Sequence, residues 1–206
     1  MATAVANVAD APIAALVDAV AADGYAVVPH FIAPAHVAAL RERAQLASAR
    51  MHPAKVGRAA ASVRDVAVRG DTILWLDEAD ADAAERALFA TLEALRLAAN
   101  ARMWLGLLDF EGHYACYPAG AFYARHRDRF RDQDTRTLTF VLYLNDAWHD
   151  DDGGALRLYR DDGSALDVLP HGGTAVAFEA ARFDHEVLPA TRARWSCTGW
   201  FRRRAM

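Results

Sequence analysis

The sequence has 206 residues, of which 54% are hydrophobic and 24% charged, and its formal net charge is -4. This length predicts a single domain, 1–206, and the charge balance lacks the excess of Lys and Arg that a nucleic-acid surface needs. No apolar stretch reaches the roughly 20 residues that span a bilayer, and the N-terminus lacks the cationic start of a secretory signal. We therefore expect a cytoplasmic protein with no nucleic-acid or membrane partner. The sequence carries no sign of an oligomeric state.

The first half of the chain shows apolar residues at helical spacing, with short apolar runs between them. Gly24 is placed to cap the first helix, and Pro34 is placed in the first turn of the second. The predicted elements are helices over 12–22, 37–49 and 80–105, strands over 25–32 and 73–76, and a loop over 52–66.

The second half changes to short β-rich runs separated by Gly, Pro and Asp. Predicted strands cover 114–117, 122–126, 137–144, 155–159, 165–169, 174–179, 185–188 and 195–201. Turn residues at 161–163 and at 171–173 each predict a hairpin between two apolar runs. Short strands at this regular spacing are typical of a double-sheet jelly roll. We predict an α+β, mainly β, fold in which helices of 1–112 pack on one face of a β core formed by 113–206.

Two histidines and one carboxylate are spaced as metal ligands. His126 and Asp128 lie two apart at the end of a predicted strand, so both side chains project to the same face, and His185 opens a later strand. Two His and one carboxylate on neighbouring strands form the facial triad of non-haem Fe(II) sites. A second His-x-Asp, His149 and Asp151, lies among acidic residues before two glycines, where a solvated turn is the simpler interpretation.

An arginine on the inner face of the last strand predicts a site for an anion. Arg194, Ser196, Thr198 and Trp200 alternate onto one face of this strand. A buried guanidinium is unfavourable unless an anion meets it, and a bidentate carboxylate is the usual partner. Two other arginines, Arg182 and Arg192, compete for this role, but both lie in predicted loops or turns. We predict that a dicarboxylate cosubstrate chelates the metal and reaches Arg194.

At this point the sequence resembles the prolyl 4-hydroxylase type of 2-oxoglutarate oxygenase, in the branch of the hypoxia-factor prolyl hydroxylases and their bacterial relatives. The resemblance extends from Tyr114 to Arg202, and the upstream segment 69–75 resembles a stretch that borders the substrate loop of the same branch. The segments that carry it are Ala115-Cys116-Tyr117-Pro118, Tyr123-Ala124-Arg125-His126-Arg127-Asp128, Tyr143-Leu144-Asn145, Gly153-Gly154-Ala155-Leu156-Arg157, His185-Glu186-Val187 and Arg69-Gly70-Asp71-Thr72-Ile73-Leu74-Trp75.

The resemblance implies a double-stranded β-helix and a role for each matching residue. It makes His126, Asp128 and His185 the iron ligands. It implies that Arg194 and Tyr143 bind the distal carboxylate of 2-oxoglutarate. The remaining matches are Tyr117 near the metal-chelating end of the cosubstrate, and Arg69, Asp71 and Trp200 on the substrate side. From its place beside Arg194 we add Ser196 as a hydroxyl of the cosubstrate site.

The implied reaction is hydroxylation of an aliphatic C–H with release of succinate and CO2, with Fe(II) and 2-oxoglutarate as cofactor and cosubstrate and ascorbate as reductant. Related halogenases leave the carboxylate position of the triad to chloride, so Asp128 favours hydroxylation. The first-choice substrate is a prolyl residue of a protein or peptide. Two alternatives stay open: hydroxylation of a free amino acid or small natural product, and a non-catalytic cupin-like sensor of iron or an organic acid.

Several other side chains are predicted to have structural roles only. Cys116 and Cys197 lie in apolar runs and are predicted to be core residues. Five histidines have no acidic or His partner at a useful spacing, and we predict surface or capping positions for His30, His36, His52, His113 and His171. A hydrophobic shell around the metal is predicted from Phe140, Leu142, Val176 and Phe178.

Overall fold

The helices lie in the first half of the chain, and most strands lie in the second. The computed structural model describes residues 10–54, 67–128 and 135–205. Within these ranges the helices are α1 (Asp10–Asp23), α2 (Pro34–Leu46) and α3 (Ala83–Met103). The strands are β1 (Tyr25–Val28), β2 (His52–Pro53), β3 (Thr72–Trp75), β4 (Leu107–Tyr117), β5 (Tyr123–His126), β6 (Arg136–Tyr143), β7 (Leu156–Tyr159), β8 (Ala165–Val168), β9 (Ala175–Glu179), β10 (His185–Val187) and β11 (Arg194–Arg203).

Each predicted helix and strand is present, and most ends differ by a few residues, but β4 begins at Leu107, well before the predicted start at 114. Helix α3 begins with a capping box, in which the Asp82 carboxylate accepts from the backbone N–H of Glu85 at 2.8 Å. It ends at Met103, and the left-handed φ of 56° at the following Trp104 stops the helix before the predicted end at Leu105. The loop predicted over 52–66 begins with β2, and 55–66 lies outside the described residues. No described helix is long and apolar enough to cross a membrane.

The strands form two antiparallel sheets, as the predicted jelly roll requires. The large sheet has the order β1-β9-β6-β11-β4-β3-β2, and the small sheet has the order β5-β10-β7-β8. The helices cover the outer face of the large sheet, where Leu16 of α1, Leu40 of α2 and Leu92 of α3 join one apolar cluster with β-strand side chains. Cys197 is buried in this cluster, which confirms it as a core residue, whereas Cys116 is partly buried and packs against the cluster.

Strand β6 is buried on both faces, and two of its residues that were predicted to surround the metal lie on the face away from it. Phe140 and Leu142 point towards the helices, whereas Val141 and Tyr143 point into the space between the two sheets. The prediction that Phe140 and Leu142 surround the metal was therefore wrong. It failed because both faces of β6 are apolar, so alternation of polarity could not assign them.

The two hairpin predictions have opposite outcomes. The turn at 161–163 joins β7 to β8, which pair antiparallel in the small sheet, and this prediction is confirmed. The turn at 171–173 instead carries the chain from β8 in the small sheet to β9 in the large one. There, a Cβ added to Gly172 would lie 2.0 Å from the carbonyl oxygen of Asn145. This glycine is needed for a close backbone approach at a crossover and does not mark a hairpin.

Candidate active site

The three predicted metal ligands meet at one end of the space between the sheets. His126 ends β5, and His185 opens β10 directly opposite it in the antiparallel register. The Nε2 atoms of His126 and His185 lie 3.5 Å from Oδ1 and Oδ2 of Asp128, respectively. The ligand atoms of all three residues lie within 4.8 Å of one another. The side chains are therefore close enough to bind one metal ion.

Backbone carbonyls orient both imidazole rings. The carbonyl oxygen of Ala124 lies 2.8 Å from Nδ1 of His126, and that of Phe183 lies 3.4 Å from Nδ1 of His185. A proton on each Nδ1 leaves the Nε2 lone pair directed at the site, which is how metal-binding histidines are usually held. Burial lowers the pKa of His185 to about 4, so this ring is neutral as a ligand must be.

Thr139 of β6 orients the carboxylate of the triad. Its hydroxyl donates to Oδ2 of Asp128 at 2.7 Å. Although burial alone would raise the pKa of Asp128, the imidazoles of His185 and His126 and the Thr139 hydroxyl lower it well below its usual range. The sequence analysis missed Thr139. Its spacing from Tyr143 was the available signal, since residues 139, 141 and 143 share the inner face of β6.

We expect Thr139→Val to lower the affinity for Fe(II) about tenfold, because loss of an outer hydrogen bond to a metal ligand typically has an effect of this size. Valine keeps the shape and favours the strand, so the fold should persist. The matched control is Thr137→Val on the same strand, because the Thr137 hydroxyl donates to the backbone carbonyl of Thr135. Anaerobic Fe(II) titration measures the difference, and equal affinities for the two variants would contradict the role of Thr139.

The guanidinium of Arg194 is buried, with 2% of the residue exposed. Its Nε donates to the carbonyl oxygen of Gly154 at 2.9 Å, and its central carbon lies 5.0 Å and 5.3 Å from the ring centroids of Tyr143 and Tyr117. Within 10–54, 67–128 and 135–205, Arg194 forms no ion pair. An anion in this pocket would therefore meet a charge that the fold leaves uncompensated.

The competing arginines are engaged elsewhere. Arg182 lies 2.7 Å from the carboxylate of Asp161, and Arg192 lies 3.5 Å from that of Asp152. Both pairs are at least partly exposed. The geometry thus favours Arg194 over both alternatives as the residue that faces the metal ligands.

Tyr143 is fully buried beside Arg194, and its hydroxyl has no hydrogen-bond partner among the described residues. Burial raises the pKa of Tyr143 to about 12, and the nearby guanidinium limits the rise. The phenol is therefore protonated and can donate to an anion. The hydroxyl of Ser196 lies 3.2 Å from that of Thr198, which lines the pocket beside Arg194. Ser196 and Tyr143 are not among the lining residues themselves, and their binding of a cosubstrate stays a prediction.

One pocket joins the triad to several of the predicted cosubstrate and substrate residues. Arg69, Tyr117, Arg194 and Trp200 all line it, together with the metal ligands. Arg69 binds the buried carboxylate of Asp71 through two hydrogen bonds of 2.6 Å and 2.8 Å. Burial alone would lower the pKa of Arg69, but these bonds raise it. Asp71 therefore acts on the pocket by holding Arg69.

His113 was predicted at the surface or in a capping position, and this was wrong. It is 2% exposed, lines the same pocket, and lies opposite Thr198 in the pairing of β4 with β11. The prediction failed because the strand was predicted to begin at 114, which left His113 outside it, whereas β4 begins at Leu107 and includes His113. Its alternation with Ala115 and Tyr117 on the inner face of β4 was the signal that could have identified it.

The second His-x-Asp motif does not form a metal site with a third ligand. His149 precedes a short 3-10 turn at Asp150–Asp152, and the Asp152 carboxylate accepts from the backbone N–H of His149 at 2.9 Å. In the described part of the chain, the only group of three metal-ligating side chains is the triad. The prediction of a solvated turn at this position is confirmed.

Comparisons with known proteins all relate this chain to 2-oxoglutarate oxygenases. Residues 112–202 match the family model of the 2OG-Fe(II) oxygenase superfamily. A prolyl-4-hydroxylase from Pseudomonas putida is 44% identical, with a TM-score of 0.86 over 94% of this chain and 100% of that one. A prolyl hydroxylase from Trichoplax adhaerens, solved with a hypoxia inducible factor peptide fragment, is 25% identical, with a TM-score of 0.82 over 94% of this chain and 90% of that one.

Longer animal proteins are also similar in sequence. The hypoxia-inducible factor prolyl hydroxylase of Caenorhabditis elegans is 28% identical over 86% of this chain, and human Egl nine homolog 1 is 30% identical over 65%. The chain spans only 26% and 33% of these two relatives. The full-length bacterial match, the family model and the triad agree, and the chain therefore belongs to the 2OG-Fe(II) oxygenase superfamily as a relative of the prolyl 4-hydroxylases.

Proposed function

We propose that this protein hydroxylates an aliphatic C–H bond of a prolyl residue in a protein or peptide, and converts 2-oxoglutarate to succinate and CO2 in the same reaction. The observation that carries this proposal is one pocket with two kinds of group: a triad that could bind a metal ion, and a buried guanidinium without a counterion among the described residues. A dicarboxylate that binds the metal at one end and Arg194 at the other satisfies both.

His126, Asp128 and His185 would hold Fe(II). Two neutral imidazoles and one carboxylate are the donor set of facial-triad iron sites, and they leave other coordination positions open. When bound there, Fe(II) supplies the redox chemistry that couples decarboxylation of 2-oxoglutarate to oxidation of the substrate. Asp128 fills the carboxylate position of the triad, which favours hydroxylation over halogenation.

Arg194 and Tyr143 would bind the distal carboxylate of 2-oxoglutarate. The guanidinium offers a charged donor, and the protonated Tyr143 hydroxyl offers a neutral one without another partner among the described residues. Tyr117 pairs with Arg194 across β4 and β11, and would lie nearer the metal-chelating end. Ser196 would act through Thr198, whose hydroxyl it contacts.

The substrate would enter beside Arg69 and Trp200. Arg69 lies over the ring of Tyr123, at 4.6 Å from its centroid, and forms an isolated bridge that joins its segment to β5. Trp200 and His113 line the pocket, and the Trp75 ring packs against His113. Aromatic walls suit the apolar ring of proline. The descriptions of the Pseudomonas and Trichoplax proteins as prolyl hydroxylases support this choice.

The test is succinate formation from 2-oxoglutarate by purified protein with Fe(II) and ascorbate, with and without proline-containing peptides. We expect peptide-stimulated succinate and a peptide product 16 Da heavier by mass spectrometry, since one oxygen atom is added. Stimulation by a free amino acid, with no response to any peptide, would replace the peptide substrate with a small molecule. If folded, iron-loaded protein forms no succinate, the proposal of an enzyme is overturned, and the alternative of a non-catalytic sensor remains.

A further inference from the structure

The two histidines of the triad lie at the ends of short strands, where the pairing between these strands stops. His126 is the last residue of β5 and His185 is the first of β10, and the two residues pair with each other. The register then shifts by one residue between His185 and Val187. Such a shift disrupts the backbone hydrogen bonds locally. The backbone pairing alone therefore holds the end of β5 only weakly against β10.

A carboxylate on the outer face of the small sheet links the two strand ends. Asp184 directly precedes His185, and two arginines directly flank His126 in the sequence. Because side chains alternate along a strand, the histidines point into the pocket and these three charged residues point away from it. Nε of Arg127 donates to Oδ1 of Asp184 at 2.8 Å, and Nη2 of Arg125 donates to Oδ2 at 2.9 Å. One carboxylate therefore bridges both arginines.

The contact with Arg127 also affects the third residue of the triad. Arg127 lies between His126 and Asp128, and Asp128 lies beyond the last residue of β5. While the Arg127 side chain is held on the outer face, the side chains before and after it are directed towards the pocket. Asp184 therefore contacts the segments that carry all three members of the triad.

A second ion pair on the same face of the sheet provides a comparison. Asp167 of β8 accepts two hydrogen bonds of 2.7 Å from Arg157 of β7. Like Asp184, it is a partly exposed carboxylate, but neither of its sequence neighbours belongs to the triad. Exposed ion pairs contribute little to overall stability, so the two carboxylates should differ in their effect on the triad more than in their effect on the fold.

We propose that Asp184 is a positioning residue that holds the triad, through the two arginines, in the arrangement that binds Fe(II). This inference rests on the proposed metal site and adds a residue whose side chain lies outside the pocket. Without the carboxylate, the end of β5 can separate from β10, and a smaller fraction of the metal-free protein has its ligands correctly placed. The apparent affinity for the metal falls in proportion to that fraction.

The first test compares Asp184→Ala with Asp167→Ala by anaerobic Fe(II) titration without 2-oxoglutarate or substrate. We expect Asp184→Ala to weaken Fe(II) binding about fivefold, because each exposed ion pair contributes modestly and Asp184 forms two. Asp167→Ala should change the affinity less than about twofold, because its pair does not hold a ligand. Denaturant unfolding of both metal-free variants shows whether their folds are equally stable.

The absorption spectrum of bound Co(II) gives a readout that a general loss of stability would not change. Co(II) binds to sites of this type in place of Fe(II), and its spectrum depends on the coordination geometry. The spectrum of Asp184→Ala should differ from that of the wild type, because the ligands are less restrained. The spectrum of Asp167→Ala should be the same as that of the wild type.

Arg127→Met gives an independent test, also in case Asp184→Ala does not fold. This substitution removes one of the two contacts to Asp184 and keeps the carboxylate. Loss of a positive charge near a cation site would by itself strengthen Fe(II) binding. A positioning role instead predicts weaker binding, by about twofold, because one exposed ion pair is lost. The direction of the change therefore separates positioning from the effect of charge alone.

The outcomes also separate this proposal from the proposed function. Wild-type Fe(II) affinity and Co(II) spectrum in Asp184→Ala, or stronger Fe(II) binding by Arg127→Met, would overturn the positioning role and leave the hydroxylase standing. Equal losses of affinity in Asp184→Ala and Asp167→Ala would overturn it as well. If the wild-type protein binds neither Fe(II) nor Co(II), the proposed metal site fails, and the role of Asp184 fails with it.

Discussion

Asp128→Ala should lower both Fe(II) affinity and succinate formation by at least about 100-fold. Loss of an outer hydrogen bond to a metal ligand already lowers affinity about 10–100-fold, and Asp128 is itself the carboxylate of the triad. It is also the group on which His126 and His185 converge at 3.5 Å. Its removal leaves two imidazoles and no anionic ligand for a divalent cation.

The chain offers a matched control for this substitution. Asp151 occupies the same place in the second His-x-Asp motif but is exposed in a 3-10 turn. Asp151→Ala should change iron affinity and turnover less than twofold. Anaerobic Fe(II) titration and succinate measurement on both variants give the comparison. Retention of iron and turnover by Asp128→Ala, or their loss in Asp151→Ala, would contradict the assignment of the triad.

The proposed metal ligands and the proposed anion-binding residues come from different sheets. His126 and His185 lie on β5 and β10 of the small sheet, whereas Arg194 and Tyr143 lie on β11 and β6 of the large sheet. The segment of Arg69 links β3 to β5 through the isolated bridge with Tyr123. Packing between the two sheets therefore sets the distance that a dicarboxylate must span.

The triad and Arg194 could be predicted because local spacing determines them. His126 and Asp128 share a face at any register, and alternation along β11 separates Arg194 and Trp200 from the core-facing Trp195. These inferences need only the two-residue alternation of side chains between the faces of a strand. They do not depend on which strands are neighbours.

The features that the sequence analysis missed depend on contacts between distant segments. Thr139 reaches Asp128 only because β6 and β5 face each other from opposite sheets. The glycine turn at 171–173 has the same local pattern in a hairpin and in a crossover between sheets. His113 looked isolated because its neighbours Trp75 and Trp200 lie far away in the sequence and meet it through strand pairing.

Arg194→Met should have opposite effects on ligand binding and on stability. Loss of one partner from a buried charged pair costs about 2–5 kcal/mol, so the dissociation constant of 2-oxoglutarate should rise by about 30-fold or more. In the absence of 2-oxoglutarate, however, Arg194 is a buried charge with no ion-pair partner in the described part of the chain. Methionine fills similar space without that desolvation cost, so the free protein should be as stable or up to about 2 kcal/mol more stable.

Arg192→Met provides the contrast for this prediction. Arg192 is partly exposed and pairs with Asp152, so its loss should leave 2-oxoglutarate affinity unchanged and lower stability by at most about 1 kcal/mol. Equilibrium unfolding with and without 2-oxoglutarate measures both effects. Because a ligand stabilises the state that binds it, 2-oxoglutarate should raise the unfolding midpoint of wild type and Arg192→Met but not of Arg194→Met. If Arg194→Met is destabilised and still responds to 2-oxoglutarate, the guanidinium has a structural role and the cosubstrate binds elsewhere.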